Sequence, residues 1–266
     1  MATLVTCWAL VRASVRGSMQ YRANFIAEVL FGVIYNSLGF VFILLVLGQF
    51  TSIDGWTLGE ITLLYGIRLC GHGLWALCFS SSMMLDYYVQ EGEWDRFLVR
   101  PMPAFVLMMV SYFRVAVFGD VLAGVVVLAA GIHQAGIVWT PARVLFLGAT
   151  ILGSAGLDAA FAIGPGALGF RFLNTEGVRG TIDYLTSQFA AYPLTILGRP
   201  VRYLLTFVIP LAFVAWIPGA VLLGKEEALP VPAWLAWGSP LVGVGLFLAA
   251  LWFFRRESRH YQSAGS

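Results

Sequence analysis

At 266 residues, with 59% hydrophobic and 11% charged residues and a net charge of +2, the chain has too little polar surface to cover a water-soluble globule of its size. A mean hydropathy of +0.83 assigns it instead to the polytopic membrane proteins. Charge this sparse offers no basic tract for nucleic acid. Three cysteines imply no disulfide framework, and Arg12 and Arg16 fall where a signal peptide needs an uncharged core.

In chain order, residues 1–24 come first. Leu4, Trp8, Val11, Val15 and Met19 recur at spacings of four, three, four and four, with Arg12, Arg16 and Arg22 off that stripe. The pattern predicts an amphipathic helix lying in the headgroup plane. A bilayer core of about 30 Å needs roughly 20 apolar residues as helix. Runs at about 25–47, 61–85, 104–131, 143–170 and 232–254 meet that need. Backbone groups cannot stay unpaired in lipid, so these runs are helices. Residues 178–224 are apolar but broken by Pro193, Pro200, Pro210 and Pro218. They read as a fifth span near 178–197 and a re-entrant hairpin over 200–224. The expectation is an all-α polytopic membrane protein with six transmembrane helices and no separate soluble domain.

Basic residues near span ends set the orientation. With both termini inside, Arg12, Arg16, Arg22, Arg96, Arg100, Arg171, Arg179, Arg255, Arg256 and Arg259 are cytoplasmic, the last three on a tail at 255–266. Arg143, Arg199, Arg202 and Lys225 fall outside. A rival topology lays 181–200 on the cytoplasmic face and makes 203–223 the fifth span, which moves Arg199 and Arg202 inside. Six spans survive either way.

Gly219 to Glu226 fits GxxxxGK and then fails as a phosphate loop, because Glu226 stands where a magnesium-ligating Ser or Thr is needed. Cys70, His72 and Cys78 sit at offsets that do not converge on one helix face, so no metal site is expected. No residue is expected to be catalytic. Charges inside spans are more informative: Arg68, Arg114, Asp120 and Asp158 each cost about 2.5–3.5 kcal/mol at mid-bilayer on insertion scales. Tyr65, Arg68, His72 and Trp75 follow at three, four and three, forming one stripe on the second span. With Asp158 they are candidates for the wall of a translocation path. The competing reading is a structural Arg68–Asp158 ion pair beside aromatic packing. Arg114 and Asp120, six apart, are expected to face different neighbours.

The link at 86–103 carries the strongest pattern. Glu93 and Asp95 favour a helix N-terminus, while Arg96 and Arg100 lie toward its C-terminal end. Trp94, Phe97 and Leu98 form an apolar side, and Pro101 and Pro103 end the helix and launch the third span. Such a helix either rests on the membrane or docks into another protein.

The run Glu91-Gly92-Glu93-Trp94-Asp95-Arg96-Phe97-Leu98-Val99-Arg100-Pro101 resembles the EGxxDRxLxRP signature of bacterial type-2 ABC transporter permeases. Tyr21-Arg-Ala-Asn-Phe25, Gly55-Trp-Thr-Leu-Gly59, the stretch from Leu205 to Phe213 and the tail from Arg259 agree with the small-permease branch of that family. The resemblance implies a six-helix permease with an outer re-entrant hairpin, in a bacterial inner membrane, with both termini cytoplasmic. It implies that Glu91–Arg100 is the coupling helix received by a pair of ATPase subunits, with Trp94 and Phe97 as its apolar anchor. Mg-ATP would bind those subunits, leaving this chain without a cofactor. A second, diverged permease would complete the path through membrane lipid for an amphipathic small molecule, lipid or drug. An ion-gradient-driven transporter or channel is the alternative, and a lipid-modifying membrane enzyme a weaker one.

The isolated chain should hydrolyse no ATP, since its GxxxxGK lacks the hydroxyl ligand. Turnover by a clean preparation that Lys225→Ala abolishes would contradict this.

Overall fold

The computed structural model describes residues 12, 16–17, 19–50, 52–111, 114–172 and 175–262. Leu4, Trp8, Val11 and Val15 of the expected amphipathic helix lie outside them. Among the described residues, five helices are long and apolar enough to cross a membrane: Arg22–Leu45, Leu58–Gln90, Val117–Gln134, Pro141–Leu168 and Ser239–His260. The same residues contain one isolated bridge, between Ile53 and Trp56, and no strand.

Helix α1 is Arg22–Leu47. It leans chiefly on the helix at Val117–Gln134 and leaves Leu30, Phe31, Ile34, Leu38 and Phe42 exposed. Helix α2, Leu58–Phe79, starts on a capping box, in which the Glu60 carboxylate accepts from the Thr57 amide at 2.8 Å and Thr57 Oγ1 accepts from the Glu60 amide at 3.4 Å. It leaves α geometry at Ser80–Met84, where Ser82 Oγ donates to the Phe79 carbonyl at 2.6 Å, and continues as α3, Leu85–Gln90. Helix α4, Asp95–Leu98, is a single turn.

The sequence pattern drew one helix across 104–131. The structure has two, α5 at Ala104–Ser111 and α6 at Val117–Gln134. Eighteen residues of α6 rise about 27 Å, enough for the span by itself. Arg114 therefore precedes α6, and it is exposed. Asp120 lies in the first turn of α6, where the helix dipole favours a carboxylate, and accepts from Asn36 Nδ2 at 2.7 Å.

Helix α7 is Pro141–Leu168, opened by Thr140 as its cap and Pro141 in its first turn. Helix α8 is Glu176–Phe189. A fifth span was expected to reach 197, but α8 ends eight residues earlier because Pro193 has no amide to donate and pushes Tyr192 out of helical geometry. The chain then turns through Leu194–Ile196 into α9, Arg199–Tyr203, widens to a π turn at Leu204–Val208, and breaks before Pro210. Helix α10, Trp216–Leu223, follows. Every residue from Leu211 to Leu222 is buried. The expected last span, 232–254, is also divided, into α11, Ala233–Trp237, and α12, Ser239–Glu257.

Small residues let these helices approach. Gly59 lies against Gln134, Gly66 against Leu128 and Gly73 against Val121, which fixes the antiparallel register of α2 on α6. Gly153 of α7 and Gly243 of α12 meet backbone to backbone. In a membrane, dispersion between closely packed backbones replaces the hydrophobic effect as the cohesive force between helices.

Gly243→Leu should force α7 and α12 apart and lower the thermal midpoint in detergent, an overpacking cost of about 1–3 kcal/mol. Gly245→Leu, two residues on, places its side chain in open space and should leave the midpoint nearly unchanged. Equal effects would mean that the close contact does not hold the pair.

Candidate functional site

Three assemblies stand out, one at each end of the bundle and one between its helices. The first is the link after α2 and α3. Helix α3 closes at Glu91, and Gly92 takes φ +69°, a left-handed conformation that a side chain disfavours. This reversal lets the Trp94 amide donate to the Tyr88 carbonyl at 2.8 Å and folds α4 back over the ends of α7 and α12. Trp94 is 2% exposed and packs edge-on against Phe97, Phe170 and Phe254, with ring centroids 5.7, 5.3 and 5.9 Å away. Phe97 is buried against Tyr88 at 5.2 Å, and Phe105 of α5 meets Phe254 at 4.7 Å.

This corrects the expectation that Trp94 and Phe97 anchor another subunit: they hold this chain to itself. Periodicity correctly placed them on one side of α4, but only the Gly92 turn decides which side faces inward. The outward residues are Glu91, Arg96, Leu98, Val99 and Arg100, with Leu98 and Val99 the exposed apolar pair. Glu93 and Arg96 pair at 2.7 Å on the surface, a contact of small worth. Ion pairs brace the same end: Asp86 with Arg179 at 2.9 Å, and buried Glu257 with Arg171. Arg179 also donates to the Met83 carbonyl. Burial, and then the Asp95 carboxylate beside it, pushes the Tyr261 phenol up from its ordinary value.

The second assembly lies between α2, α7 and α8. Gly71 closes against Ser154, and this close crossing brings Arg68 and His72 within reach of Asp158. Arg68 Nη1 meets Asp158 Oδ2 at 2.8 Å, and His72 Nδ1 approaches the same oxygen at 3.2 Å. Arg68 and Asp158 are buried. The His72 ring rests on Trp75, with centroids 5.0 Å apart. These four residues line a narrow cleft. The ion pair of the competing reading therefore exists, and it lines one side of this cleft. Tyr65 is the exception, since its hydroxyl donates to the Asn36 carbonyl at 3.1 Å and its ring stacks on Phe40 outside the cleft.

The opposite wall escaped the sequence reading. Arg179, Ile182, Asp183 and Thr186 of α8 line it at spacings of three, one and three. The signal was available as polar residues at helical spacing inside a segment treated only as apolar and broken.

The third assembly explains the false phosphate loop. Gly219 packs on Leu64, and Gly224 ends α10 at φ +70°. Lys225 donates to the Gly55 carbonyl and to Glu60, both at 2.7 Å, with its ammonium 5.0 Å from the Trp56 ring centroid. Asp54 and Gly55, both at positive φ, form the tight turn that presents this carbonyl. Lys225 thus ties α10 to the start of α2. Among the described residues no three His, Cys, Asp or Glu side chains are placed to hold a metal ion.

A family model described as ABC-2 family transporter protein matches residues 33–265. No curated protein and no solved structure matches the chain.

Arg68→Leu should leave Asp158 buried without its cation and reduce stability by about 3–5 kcal/mol. Combining it with Asp158→Leu should recover most of the loss, since an apolar pair can replace a buried ion pair at little cost. Thermal midpoints of the single and double variants in detergent decide it. A double variant no better than the single would show that the two charges do not act as a pair.

Proposed function

Because the chain belongs to the ABC-2 transporter family, we propose that it is the permease subunit of an ATP-driven exporter for an amphipathic small molecule, lipid or drug. Members of this family are multi-pass membrane components that work with an ATPase subunit. In this reading a pair of ATPase subunits binds Mg-ATP at the cytoplasmic face of a bacterial inner membrane. A second, diverged permease chain faces this one across the path. Both termini are cytoplasmic, on the same side as the link.

The observation that carries the reading is the construction of that link. Its exposed surface is Arg96, Leu98, Val99 and Arg100, while Trp94 and Phe97 lock it into Phe170 after α7 and Phe254 in α12. A push on the exposed side cannot be absorbed locally, because close-packed interiors transmit strain. Closure of the ATPase pair would therefore move α7 and α12 together and reshape the cleft that α7 shares with α2 and α8. The apolar anchor passes from Trp94 and Phe97 to Leu98 and Val99, flanked by Arg96 and Arg100 for polar partners.

Residues 199–223 are, in this account, a hairpin entering from the outer face. Lys225 beside Gly55 and Glu60 supports an outer position for its exit, and Gly219 against Leu64 and near Ile67 supports a deeper one for its interior. The break between Val208 and Trp216 disfavours a single span over 203–223. That break is tolerable at depth because residues 211–222 are enclosed by protein. Helix α8 then serves as the membrane segment before the hairpin. Its polar face at Thr181, Tyr184, Ser187 and Gln188 is exposed, as a water-filled path requires and lipid does not favour.

Leu98→Asp with Val99→Asp should sharply reduce co-purification of the ATPase, a hot-spot cost of about 2 kcal/mol or more, with insertion and thermal midpoint unchanged. Trp94→Ala should instead destabilise the chain itself by about 3–5 kcal/mol, which a lower thermal midpoint would show. Undiminished ATPase capture and export by the double aspartate variant would end the coupling assignment.

A further inference from the structure

Helix α8 is held to the rest of the chain by little. Thr186 is its one buried residue, and the hydroxyls of Thr181, Thr186 and Ser187 donate to carbonyls within the helix itself. Among the described residues, the side chain of α8 that reaches another element through a polar contact is Arg179. It meets the Asp86 carboxylate at 2.9 Å and donates to the Met83 carbonyl. One guanidinium thus grips both sides of the junction at which the Ser80–Met84 turn passes into α3.

The surface that Arg179 grips is rigid. Asp86 is 3% exposed, and α3 is pressed onto the end of α7, where Gly166 lies against Leu85 and Gly169 against Asp86. Two residues past Asp86, the Tyr88 carbonyl accepts the Trp94 amide at 2.8 Å and the Tyr88 ring meets Phe97 at 5.2 Å. The carboxylate that holds Arg179 is therefore built into the same six-residue helix that carries the link. Separating a buried carboxylate from its cation is costly, so the pair stays closed when α3 moves. On the far side of Arg179, Ile182, Asp183 and Thr186 follow along α8 into the lining of the cleft.

We propose that Arg179 is a positioning residue that joins α8 to the link, so that a displacement of α4 reaches the cleft-lining face of α8 through Asp86. The assignment rests on the permease reading and gives it a second branch. Trp94 carries the displacement to α7 and α12, and Arg179 carries it to α8. An element with few buried contacts opens and shifts more easily than the core around it. Helix α8, with one buried residue and one polar attachment, is free to follow its first turn.

The test uses the full chain purified with its ATPase in nanodiscs. Hydrogen–deuterium exchange is followed in peptides from α8 and α12, with and without Mg-ATP and vanadate. In the unaltered complex, trapping the nucleotide should change exchange several-fold in both helices. Asp86→Asn with Arg179→Gln removes the ionic tie without leaving a buried charge alone. It should abolish the response of α8 and retain that of α12. The thermal midpoint, the bound ATPase and the nucleotide-free exchange of α8 should stay those of the parent. Arg179→Lys keeps the cation and should preserve the α8 response. An undiminished α8 response in the double variant overturns the assignment. A lowered midpoint or faster nucleotide-free exchange of α8 in that variant also overturns it, because a purely structural pair gives that result. An unaltered complex in which α12 responds and α8 does not removes the second branch and leaves the permease reading standing. Failure of the unaltered chain to capture any ATPase removes the permease reading instead.

Discussion

A backbone amide or carbonyl without a partner cannot face hydrocarbon, and this constraint organises the whole chain. Where the sequence allows continuous helix, as in α1, α6, α7 and α12, the groups pair within the helix and side chains are free to meet lipid. Where prolines forbid it at depth, the chain must be enclosed by its own protein. The stretch that follows Pro210, from Leu211 to Leu222, is completely buried, whereas Ile196, Val201, Tyr203, Leu204, Phe207 and Val208 ahead of it are exposed. The core of this protein forms around its least regular segment, with α2 as the wall it leans on through Gly219 and Leu64.

The two ends of the bundle are closed by different chemistry. At the Lys225 end a single ammonium gathers a turn carbonyl, the capping glutamate of α2 and an indole face. At the Trp94 end, edge-to-face aromatic rings do the joining, and ion pairs such as Asp86–Arg179 brace their margin. Aromatic packing of this kind is directional as well as apolar. It therefore fixes the angle of α4 as well as its attachment, and it gives a four-residue helix the stiffness of the helices beneath it.

Between those ends, Arg68, His72 and Asp158 share one carboxylate oxygen in the bundle interior. A buried ion pair contributes little net stability, because desolvation offsets most of the attraction. Arg179, Asp183 and Thr186 of α8 add further polar groups to the lining of the cleft.

The sequence by itself determined the class of the protein, the number of long apolar helices to within the broken region, the breaks at Pro193 and Pro210, and the failure of Gly219–Glu226 as a phosphate loop. Each follows from local physical chemistry: hydropathy over about 20 residues, a missing amide, a missing hydroxyl. It also placed Arg68 and Asp158 as possible partners, since charges in apolar helices have few alternatives. What only the tertiary structure decided is which way amphipathic pieces turn. Trp94 and Phe97 share a side of α4 with Leu98 by periodicity, yet the positive φ of Gly92 and the positions of Phe170 and Phe254, more than 70 residues further on, send two rings inward and leave the leucine out. Tyr65 leaves the stripe because Asn36 of α1 captures its hydroxyl, and Arg114 falls before α6 because the expected single helix is divided there. Periodicity along one helix names a face; contacts with distant segments choose what that face meets.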